Sequence, residues 1–310
     1  GMNAAIRAVV RAGISNGVKV YGIKRGYEGM IEGDIIPMQS NSVSNIIQRG
    51  GTILKSARSK EFMTPEGRQK AYQNLKTAGV DALVVIGGDG SFTGAEVFNN
   101  EFDFPVMGIP GTIDNDIFGT SHTLGYDTAL NTVVEVIDKI RDTASSHNRL
   151  FFVEVMGRDA GHIALNAGIG AGAEEILIPE EDLGLDRLLD SLKKSKASGK
   201  SSSIVVIAEG DKIGKNVFEL KDYVEANLPE YDVRVSVLGH MQRGGAPSCF
   251  DRVLASRLGV KAVESLLEGK TNFMVGLLAD KVALTPLEQA IKGHSEIDKE
   301  LLRVSDIMTT

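Results

Sequence analysis

The stretch Leu83–Ser91, which reads Leu-Val-Val-Ile-Gly-Gly-Asp-Gly-Ser, constrains the fold of this chain more than any other feature. Residues 82–86 are apolar and rich in β-branched side chains, which is typical of a strand buried on both faces of a parallel sheet. Three glycines follow, and Ser91 is predicted to cap a helix that begins near Phe92. A turn of this kind presents backbone N–H groups that bind a phosphate.

The carboxylate of Asp89 lies inside this glycine turn, where it would repel a phosphate directly. A bridging Mg²⁺ ion accounts for a carboxylate here, because Mg²⁺ is commonly held by one or two carboxylates and the phosphates of a substrate. The alternative is a tight turn between strand and helix, in which Asp89 is only an exposed turn residue. The motif alone leaves both interpretations open.

Segments with the patterns of strands and helices alternate along the sequence, which predicts a doubly wound α/β fold with right-handed crossovers. The 310 residues exceed the usual size of one domain, so we expect two lobes with mostly parallel sheets. Helices are predicted at 3–16, 42–51, 64–78, 91–98, 127–141, 183–197, 223–228 and 251–267. Strands are predicted at 18–23, 53–58, 82–86, 106–109, 150–156, 176–178, 204–208, 233–238 and, as the last, 273–278.

The composition argues against several classes of function. With 34 basic and 41 acidic residues, the net charge of −7 disfavours a nucleic-acid groove or a patch for a membrane surface. The single cysteine, Cys249, excludes an internal disulfide and indicates a reducing compartment. No run of 18 apolar residues and no signal peptide is visible, so we expect a cytoplasmic protein with neither membrane nor nucleic acid as partner.

Carboxylates and arginines are concentrated where predicted strands end. The segment 110–116 reads Pro-Gly-Thr-Ile-Asp-Asn-Asp and brings Asp114 and Asp116 to the carboxyl end of a strand, where parallel sheets bind ligands. Together with arginines at other strand ends, these groups supply the metal ligands, cations and base of phosphoryl transfer. An Asx turn at 114–116, a core position for His240 and a helix-capping role for Arg149 are the structural alternatives. The arginines are Arg58, Arg149, Arg158 and Arg243.

Five motifs in collinear order resemble the bacterial ATP-dependent 6-phosphofructokinase family over essentially the whole chain. They are Gly-Met-Asn-Ala-Ala-Ile-Arg at 1–7, Val-Val-Ile-Gly-Gly-Asp-Gly-Ser at 84–91, Pro-Gly-Thr-Ile-Asp-Asn-Asp at 110–116, Val-Glu-Val-Met-Gly-Arg at 153–158 and Leu-Gly-His-Met-Gln-Arg-Gly-Gly at 238–245. The resemblance implies transfer of the γ-phosphate of ATP to the 1-hydroxyl of fructose 6-phosphate, with Mg²⁺ as cofactor. It also implies a homo-oligomer, normally a tetramer.

The same resemblance implies an active site in the cleft between two lobes. The nucleotide-binding lobe would comprise residues 1–124 and about 242–292, and the sugar-phosphate lobe 125–241 and about 293–310. The family carries a first strand and a Gly-rich loop before the Met-Asn-Ala-Ala motif, of which only Gly1 is present in this sequence. We therefore expect one strand position of the first sheet to be missing.

Individual roles also follow from the resemblance. Asp114 would be the base that takes the proton from the sugar hydroxyl, and Arg158 would steady the transferring phosphoryl group. Asp89, with Asp116, would serve Mg²⁺, and Thr112 would assist near the same phosphate. The ATP contacts would be Arg58, Ser59, Gly88, Asp89, Gly90 and Ser91. The sugar-phosphate contacts would be Thr112, Ile113, Asp114, Met156, Gly157, Arg158, Glu209, His240, Met241, Gln242 and Arg243, with Arg149 and Arg234 reaching in from a neighbouring subunit.

Two rival functions remain at this point. In the pyrophosphate-dependent branch of the family, an aspartate usually stands at the position of Gly90 and a lysine at that of Gly111, so the two glycines favour ATP. A catalytically silent nucleotide-binding subunit is the second rival. The presence of Asp114 disfavours it, because a sensor needs no base.

Family members controlled by ADP and phosphoenolpyruvate carry a cationic effector pocket, which this sequence matches only in part. Matching positions are Arg7, Arg11, Arg141, Gly172, Glu174 and Lys200. The usual arginine and aspartate on either side of a Ser-Val-Ser run are replaced by Ser40 and Asn45, and Lys200 is the only lysine left in a turn that is usually lysine-rich. Because each lost cation forgoes a charge-assisted bond to phosphate, we expect a weak or altered response to both effectors.

Overall fold

A computed structural model of the chain describes residues 1–144, 149–181, 184–197, 203–214, 216–293 and 295–308. The chain divides into two compact units. The first unit comprises residues 1–112, 117–127 and 244–295, and the second comprises 113–116, 128–243 and 296–310. Each unit contains one four-stranded sheet in which the strands are all or mostly parallel, which confirms the predicted α/β class.

The described residues form helices and strands in alternation over most of the chain. The helices are α1 (Met2–Ser15), α2 (Tyr27–Glu32), α3 (Pro65–Ala78), α4 (Asp89–Phe102), α5 (Tyr126–Ala144), α6 (His162–Gly170), α7 (Leu185–Ala197), α8 (Val217–Asn227), α9 (Cys249–Leu267), α10 (Leu287–Lys292) and α11 (Lys299–Met308). The strands are β1 (Val20–Ile23), β2 (Ile35–Met38), β3 (Leu83–Gly87), β4 (Val106–Pro110), β5 (Arg149–Val155), β6 (Glu175–Leu177), β7 (Ser203–Ala208), β8 (Asp232–Val237), β9 (Phe273–Leu278) and β10 (Lys281–Pro286). Short 3-10 helices occupy Ser40–Val43, Glu61–Met63 and Gly239–Arg243.

The sheet of the first unit has the strand order β10–β9–β4–β3. Strands β3, β4 and β9 are parallel, and β10 runs antiparallel to β9 at one edge. Every residue of β4 is buried, as its uninterrupted apolar sequence predicts for a central parallel strand. The fully buried rings of Phe92 and Phe98 from α4 lie in the core beside this sheet, so the helix that follows the glycine turn is anchored by its apolar face.

The sheet of the second unit has the strand order β6–β7–β5–β8 and is parallel throughout. All six residues of β7 are buried. Leucines of α7 and α8, such as Leu188 and Leu220, pack in the same core as Phe152 of β5. Parallel strands place their carboxyl ends at one edge, so the loops after β5, β7 and β8 meet there.

Three helix starts show how local chemistry sets the element boundaries. The hydroxyl of Thr64 accepts a hydrogen bond from the N–H of Gly67, and Pro65 occupies the first position of α3, as the sequence predicts. Ser248 caps α9 in the same way through the N–H of Asp251. The start of α4 is different from the prediction, because the helix begins at Asp89 directly after Gly88, and Ser91 lies inside its first turn.

Two predicted elements are wrong, and residues in the left-handed region explain both. The segment 53–58 is not a strand, because Lys55 has φ = 61° and closes a turn on the carbonyl of Thr52. The segment 42–51 is not a continuous helix, because Asn45 has φ = 53° and ends the helical conformation after the short turn at 40–43.

Two strands were missed by the sequence analysis. Strand β2 pairs antiparallel with β1, and β10 pairs antiparallel with β9, so the strand at 273–278 is not the last. The turn between β9 and β10 consists of Ala279 and Asp280, which both have positive φ. Hairpin turns with this backbone usually contain glycine or asparagine, and the absence of that signal concealed the second strand. Among the described residues, no helix is both long and apolar enough to cross a membrane.

Candidate active site

The turn after β3 in the first unit is built by close approach of backbone and side chain. The N–H of Gly111, which directly follows β4, donates to the carbonyl of Gly87 at 2.8 Å, so the carboxyl ends of the two strands are joined. A Cβ placed on Gly87 would lie 2.4 Å from Oγ of Ser91. Only glycine therefore fits at the end of β3, and the first turn of α4 stands directly above it.

Gly90 differs from Gly87 because the protein itself does not require a glycine there. Its backbone is helical, and a Cβ at this position would meet no atom within 4 Å among the described residues outside the immediate helix. Asp89 and Gly90 are exposed, and they lie in the first turn of a 14-residue helix. The free space therefore lies beside backbone amides and the positive end of a helix, which is a favourable place for an anion.

Tyr27 supports the first turn of α4, although no sequence motif predicts a role for it. Its hydroxyl donates to the carbonyl of Ser91, and its ring stacks on Phe62 at 4.0 Å between centroids. A Cβ on Gly94 would lie 2.8 Å from the same ring. Burial raises the pKa of Tyr27 far above its ordinary value, so the hydroxyl remains a donor at all physiological pH values. No sequence signal beyond an isolated Gly-Tyr pair marked this residue.

The segment after β4 carries the predicted carboxylates. The hydroxyl of Thr123 donates to the carbonyl of Thr112 at 2.7 Å, which holds the beginning of the segment in the first unit. Residues 113–116 belong to the second unit. Asp114 is buried with only 4% of its surface exposed, Asp116 is half-buried, and Asn115 between them has φ = 56°. Asparagine tolerates this left-handed conformation better than most residues.

The carboxyl edge of the second sheet brings together most of the residues predicted to contact a sugar phosphate. The N–H of Arg158 donates to Oε1 of Glu209 at 2.8 Å, and the N–H of Met156 donates to Oε1 of Gln242 at 3.2 Å. These bonds connect the loop after β5 with the loop after β7 and with the 3-10 helix after β8. Met156, Gly157 and Gln242 are buried, whereas the side chains exposed at this edge are Arg158, Glu209, His240, Met241 and Arg243.

One further carboxylate belongs to this edge. Glu154 of β5 is half-buried, and its pKa is raised above the ordinary value mainly by burial and secondly by the negative charge of Glu209. It belongs to the motif Val-Glu-Val-Met-Gly-Arg at 153–158, but the family resemblance implies no role for it. A raised pKa beside a second carboxylate is a frequent property of functional sites.

Arg149 and Arg234 are not among the residues at the carboxyl edge. Both pair with the carboxylate of Asp232, at 3.3 Å from Nε of Arg149 and 2.9 Å from a terminal nitrogen of Arg234. Arg149 is the first residue of the seven-residue strand β5, so about 20 Å of strand separates it from Met156. Within one copy of the second unit, the two arginines therefore occupy the opposite end of the sheet from the other predicted contacts.

The predicted effector residues are assembled in part. A terminal nitrogen of Arg141 donates to the carbonyls of Ala171 and Gly172 at 2.7 and 2.8 Å, and the other lies 3.9 Å from the buried carboxylate of Glu174. Arg7 and Arg11 lie on α1 of the first unit. Lys200 is outside the described residues. The three effector residues described in the second unit thus form one cluster.

The remaining predicted nucleotide contacts lie in an irregular segment of the first unit. Arg58 is exposed, and Oγ of the half-buried Ser59 accepts a hydrogen bond from the N–H of Phe62 at 3.3 Å. Phe62 is the ring on which Tyr27 stacks, so this segment and the first turn of α4 share one aromatic support.

Across the described ranges, no group of three or more His, Cys, Asp or Glu residues is arranged to hold a metal ion. The single carboxylate of Asp89, exposed in the first turn of α4 beside the free space at Gly90, fits a different kind of site. Mg²⁺ commonly takes one or two protein carboxylates and completes its shell with substrate phosphates and water. The donor set at Asp89 therefore fits a Mg²⁺ ion that arrives with a nucleotide.

Comparisons with known proteins agree over nearly the whole chain. A family model described as Phosphofructokinase matches residues 1–266. The ATP-dependent 6-phosphofructokinase 2 of Bacteroides thetaiotaomicron is 55% identical over 98% of this chain and 93% of its own length. The ATP-dependent 6-phosphofructokinase 1 of Thermus thermophilus is 53% identical over 99% of this chain and 95% of its own.

Solved structures of phosphofructokinases are also similar to this chain. The phosphofructokinase of Saccharomyces cerevisiae superposes with a TM-score of 0.89 at 37% identity, and the match covers 99% of this chain and 45% of that one. A pyrophosphate-dependent phosphofructokinase from Marinobacter aquaeolei superposes with a TM-score of 0.83 at 20% identity, covering 100% of this chain and 88% of that one. The second likeness bears on the fold alone.

Proposed function

The chain belongs to the phosphofructokinase family, and from this premise we propose that it transfers the γ-phosphate of ATP to the 1-hydroxyl of fructose 6-phosphate. The observation that carries the choice of ATP is the free space at Gly90, in the first turn of α4. Relatives with more than half of their residues identical are named ATP-dependent enzymes, which supports the same choice.

The pyrophosphate-dependent alternative is disfavoured at two positions. An aspartate in place of Gly90 would put a carboxylate into the free space and repel the phosphates of a nucleotide. At Gly111, a Cβ would already lie 3.1 Å from Sδ of Met2 and 3.3 Å from Cγ2 of Ile86, so a lysine there would have to displace packed side chains. The chain is therefore packed around a glycine where the pyrophosphate branch usually carries lysine.

The first turn of α4 is proposed to bind the phosphates of ATP through the backbone of Gly88–Ser91. Aligned N–H groups at a helix N-terminus bind phosphate with little reorganisation, and Tyr27 keeps this turn in place by its bond to Ser91. Asp89, assisted by Asp116, would hold Mg²⁺. When bound, this ion neutralises charge on the phosphate oxygens and so lowers the barrier to transfer.

Asp114 is proposed as the general base. Its carboxylate takes the proton of the 1-hydroxyl as the new bond from that oxygen to the γ-phosphorus forms and the bond to the oxygen of ADP breaks. Burial of Asp114 keeps water away from the transferred proton and limits the positions of the carboxylate. Arg158 steadies the charge on the migrating phosphoryl group, and Thr112 assists near the same group.

The sugar phosphate is proposed to bind at the carboxyl edge of the second sheet. Met156 and Gly157 supply the wall, while Glu209, His240 and Arg243 supply polar contacts that are exposed there. Arginine and imidazole side chains suit a phosphate, and a carboxylate suits sugar hydroxyls.

A homo-oligomer is proposed from the place of the two remaining arginines, and the family resemblance implies that it is a tetramer. Arg149 and Arg234 lie at the opposite end of the same sheet, so they serve a sugar phosphate only if they enter the site of a neighbouring subunit. Their shared partner, Asp232, keeps them side by side. A cytoplasmic location is also proposed, supported by the single cysteine of the chain.

A coupled assay tests the proposal directly. The protein is incubated with fructose 6-phosphate and Mg²⁺, and formation of fructose 1,6-bisphosphate is followed with either ATP or pyrophosphate as donor. We expect turnover with ATP and roughly 100-fold less with pyrophosphate, because a donor that lacks the nucleoside loses the contacts that this part of a substrate contributes to transition-state binding. Turnover with pyrophosphate alone would select the rival branch, and nucleotide binding without turnover would select the silent subunit.

A further inference from the structure

The turn at 156–158, which follows β5 in the second unit, holds an unfavourable backbone conformation. Gly157 has φ = 147°, and a Cβ there would lie 2.4 Å from the carbonyl oxygen of Ala160. Arg158 has φ = 57°, which is the left-handed region that side chains with a Cβ seldom occupy. A strained residue of this kind persists only when its surroundings hold it in place.

Two side-chain oxygens from other loops hold this turn through its backbone. The N–H of Arg158 donates to Glu209, and the N–H of Met156 donates to Gln242. Glu209 is exposed and remains accessible to a ligand, whereas Gln242 has only 1% of its surface exposed. The two acceptors therefore do not have the same role.

Both ends of the Gln242 amide are used inside the protein. Its Oε1 accepts from Met156, and its Nε2 donates to the carbonyl of Gly239 at 3.2 Å. A backbone N–H can only donate and a carbonyl can only accept, so the two partners fix the orientation of the amide. Its neighbours in the same 3-10 helix, His240 and Arg243, are exposed. The Gln242 side chain, unlike those of His240 and Arg243, is thus almost fully covered by the protein and has both ends of its amide hydrogen-bonded within it.

We infer that Gln242 is a positioning residue that connects the turn at 156–158 to the 3-10 helix at 239–243, so that both halves of the sugar-phosphate set keep one arrangement. This inference rests on the proposed function of the same edge, and it replaces the direct substrate contact that the family resemblance implied for Gln242. One buried amide links the backbone that carries Arg158 to the helix that carries His240 and Arg243.

The test compares Gln242→Met, which removes both hydrogen bonds at similar volume, with Tyr231→Phe as the matched control. Tyr231 is also buried in the second unit, and its hydroxyl donates to the carbonyl of Leu192 at 2.8 Å. Both variants lose a buried hydrogen bond, so both are expected to unfold at a lower temperature. Only Gln242→Met is expected to raise KM for fructose 6-phosphate, by about tenfold or more, with KM for ATP within about twofold of the wild type.

Gln242→Glu supplies a second readout that does not depend on stability. The ionised carboxylate accepts from Met156 but repels the carbonyl of Gly239, whereas the protonated acid has one acceptor and one donor, like the amide. Burial raises the pKa of a carboxyl, so acidification restores the native pattern. The excess of its KM for the sugar phosphate over that of the wild type, measured at each pH, is expected to shrink as the pH falls from 8 to 6.

Calorimetric titration with fructose 6-phosphate alone is expected to show the same loss of affinity in Gln242→Met. Sugar-phosphate KM within twofold of the wild type in Gln242→Met, or an equal rise of KM for ATP, would overturn the inference. A difference for Gln242→Glu that does not change with pH would also overturn it. If the wild type itself shows no turnover with ATP and fructose 6-phosphate, the proposed function fails instead, so the two failures are distinguished.

Discussion

Two turns at the carboxyl ends of parallel strands use their backbone in opposite ways. In the turn after β3, the first turn of α4 has free space beside Gly90, where a Cβ would meet no atom within 4 Å among the described residues outside its own helix. In the turn after β5, the amides of Met156 and Arg158 are already occupied by Gln242 and Glu209. The first turn therefore leaves open space beside its backbone, which we propose binds phosphate. The second turn uses its backbone amides for internal support, and we propose that its exposed side chains bind the ligand. Two turns at the same position in parallel sheets can therefore differ in whether their backbone is left open or is used inside the protein.

The largest loss of activity is expected from a substitution of Asp114, which belongs to neither turn. The effects expected at the two turns are smaller and can be compared with it. Asp114→Asn removes the proposed base and is expected to lower kcat by roughly 10²–10⁴-fold, because general bases commonly contribute that much. KM for the sugar phosphate should change far less. Steady-state kinetics check this, and turnover within a few-fold of the wild type would remove Asp114 from the role of base.

A charge in the free space of the first turn should have the next largest effect. Gly90→Asp is expected to raise KM for ATP by roughly tenfold to 100-fold by repelling its phosphates, while KM for fructose 6-phosphate stays nearly unchanged. Gly90→Ala is the matched control. A Cβ at this position meets nothing within 4 Å among the described residues outside its own helix, so the melting temperature of both variants should stay near that of the wild type. Equal ATP kinetics in Gly90→Asp would contradict a backbone phosphate site here.

Near the second turn, the stability of the protein should instead depend on pH through Glu154, which lies in the preceding strand β5. Its pKa is raised in the folded protein, so the folded state binds the proton more tightly than the unfolded state does, and stability falls as the pH rises through that range. Glu154→Gln removes this loss and is expected to raise the melting temperature at pH 7.5 by at most about 2 °C, with a smaller gain at pH 5. Thermal unfolding of both proteins at the two pH values checks the sign. A larger gain at pH 5 would show that the carboxylate is stabilising.

The smallest effect on activity is expected from an effector that binds at the cluster of Arg141, Gly172 and Glu174. Its guanidinium already donates to two backbone carbonyls and lies beside Glu174, so part of its capacity to bind a phosphate is in use. We expect phosphoenolpyruvate or ADP at about 1 mM to change the half-saturating concentration of fructose 6-phosphate by less than about threefold. Saturation curves with and without each compound provide the measurement. A strong sigmoidal shift below millimolar concentration would contradict the prediction.

Sequence patterns predicted most of the fold because the apolar strands and their caps act locally. The buried run of β4 and the Thr64–Pro65 start of α3 are examples in which a few adjacent residues determine the element. The failures lie where a single backbone angle decides, as at Lys55, Asn45 and the turn Ala279–Asp280. Such angles depend on distant contacts, which the local sequence does not show.

The sequence also indicated part of the candidate site, namely which residues lie close together, but not all of their surroundings. The family resemblance implied that Met156, Arg158 and Glu209 belong to one group, and the structure joins them by hydrogen bonds or by adjacency in the chain. It did not reveal that Tyr27 supports α4 or that the Gln242 side chain is buried, because both depend on packing between segments far apart in the sequence. Their roles become visible only when the loops are assembled.

Strand β9 is synthesised long after β4, its neighbour in the sheet, and this delay affects the order of folding. Strand β4 pairs with β9, and the N–H of Val106 donates to Oγ1 of Thr271 across 165 residues. The sheet of the first unit therefore stays incomplete until the ribosome has made the whole of the second sheet. At about 5–20 residues per second, the unpaired edge of β4 waits on the order of ten seconds or more. During that interval the four strands of the all-parallel sheet in the second unit are already available, so we expect this sheet to form before the sheet of the first unit is complete.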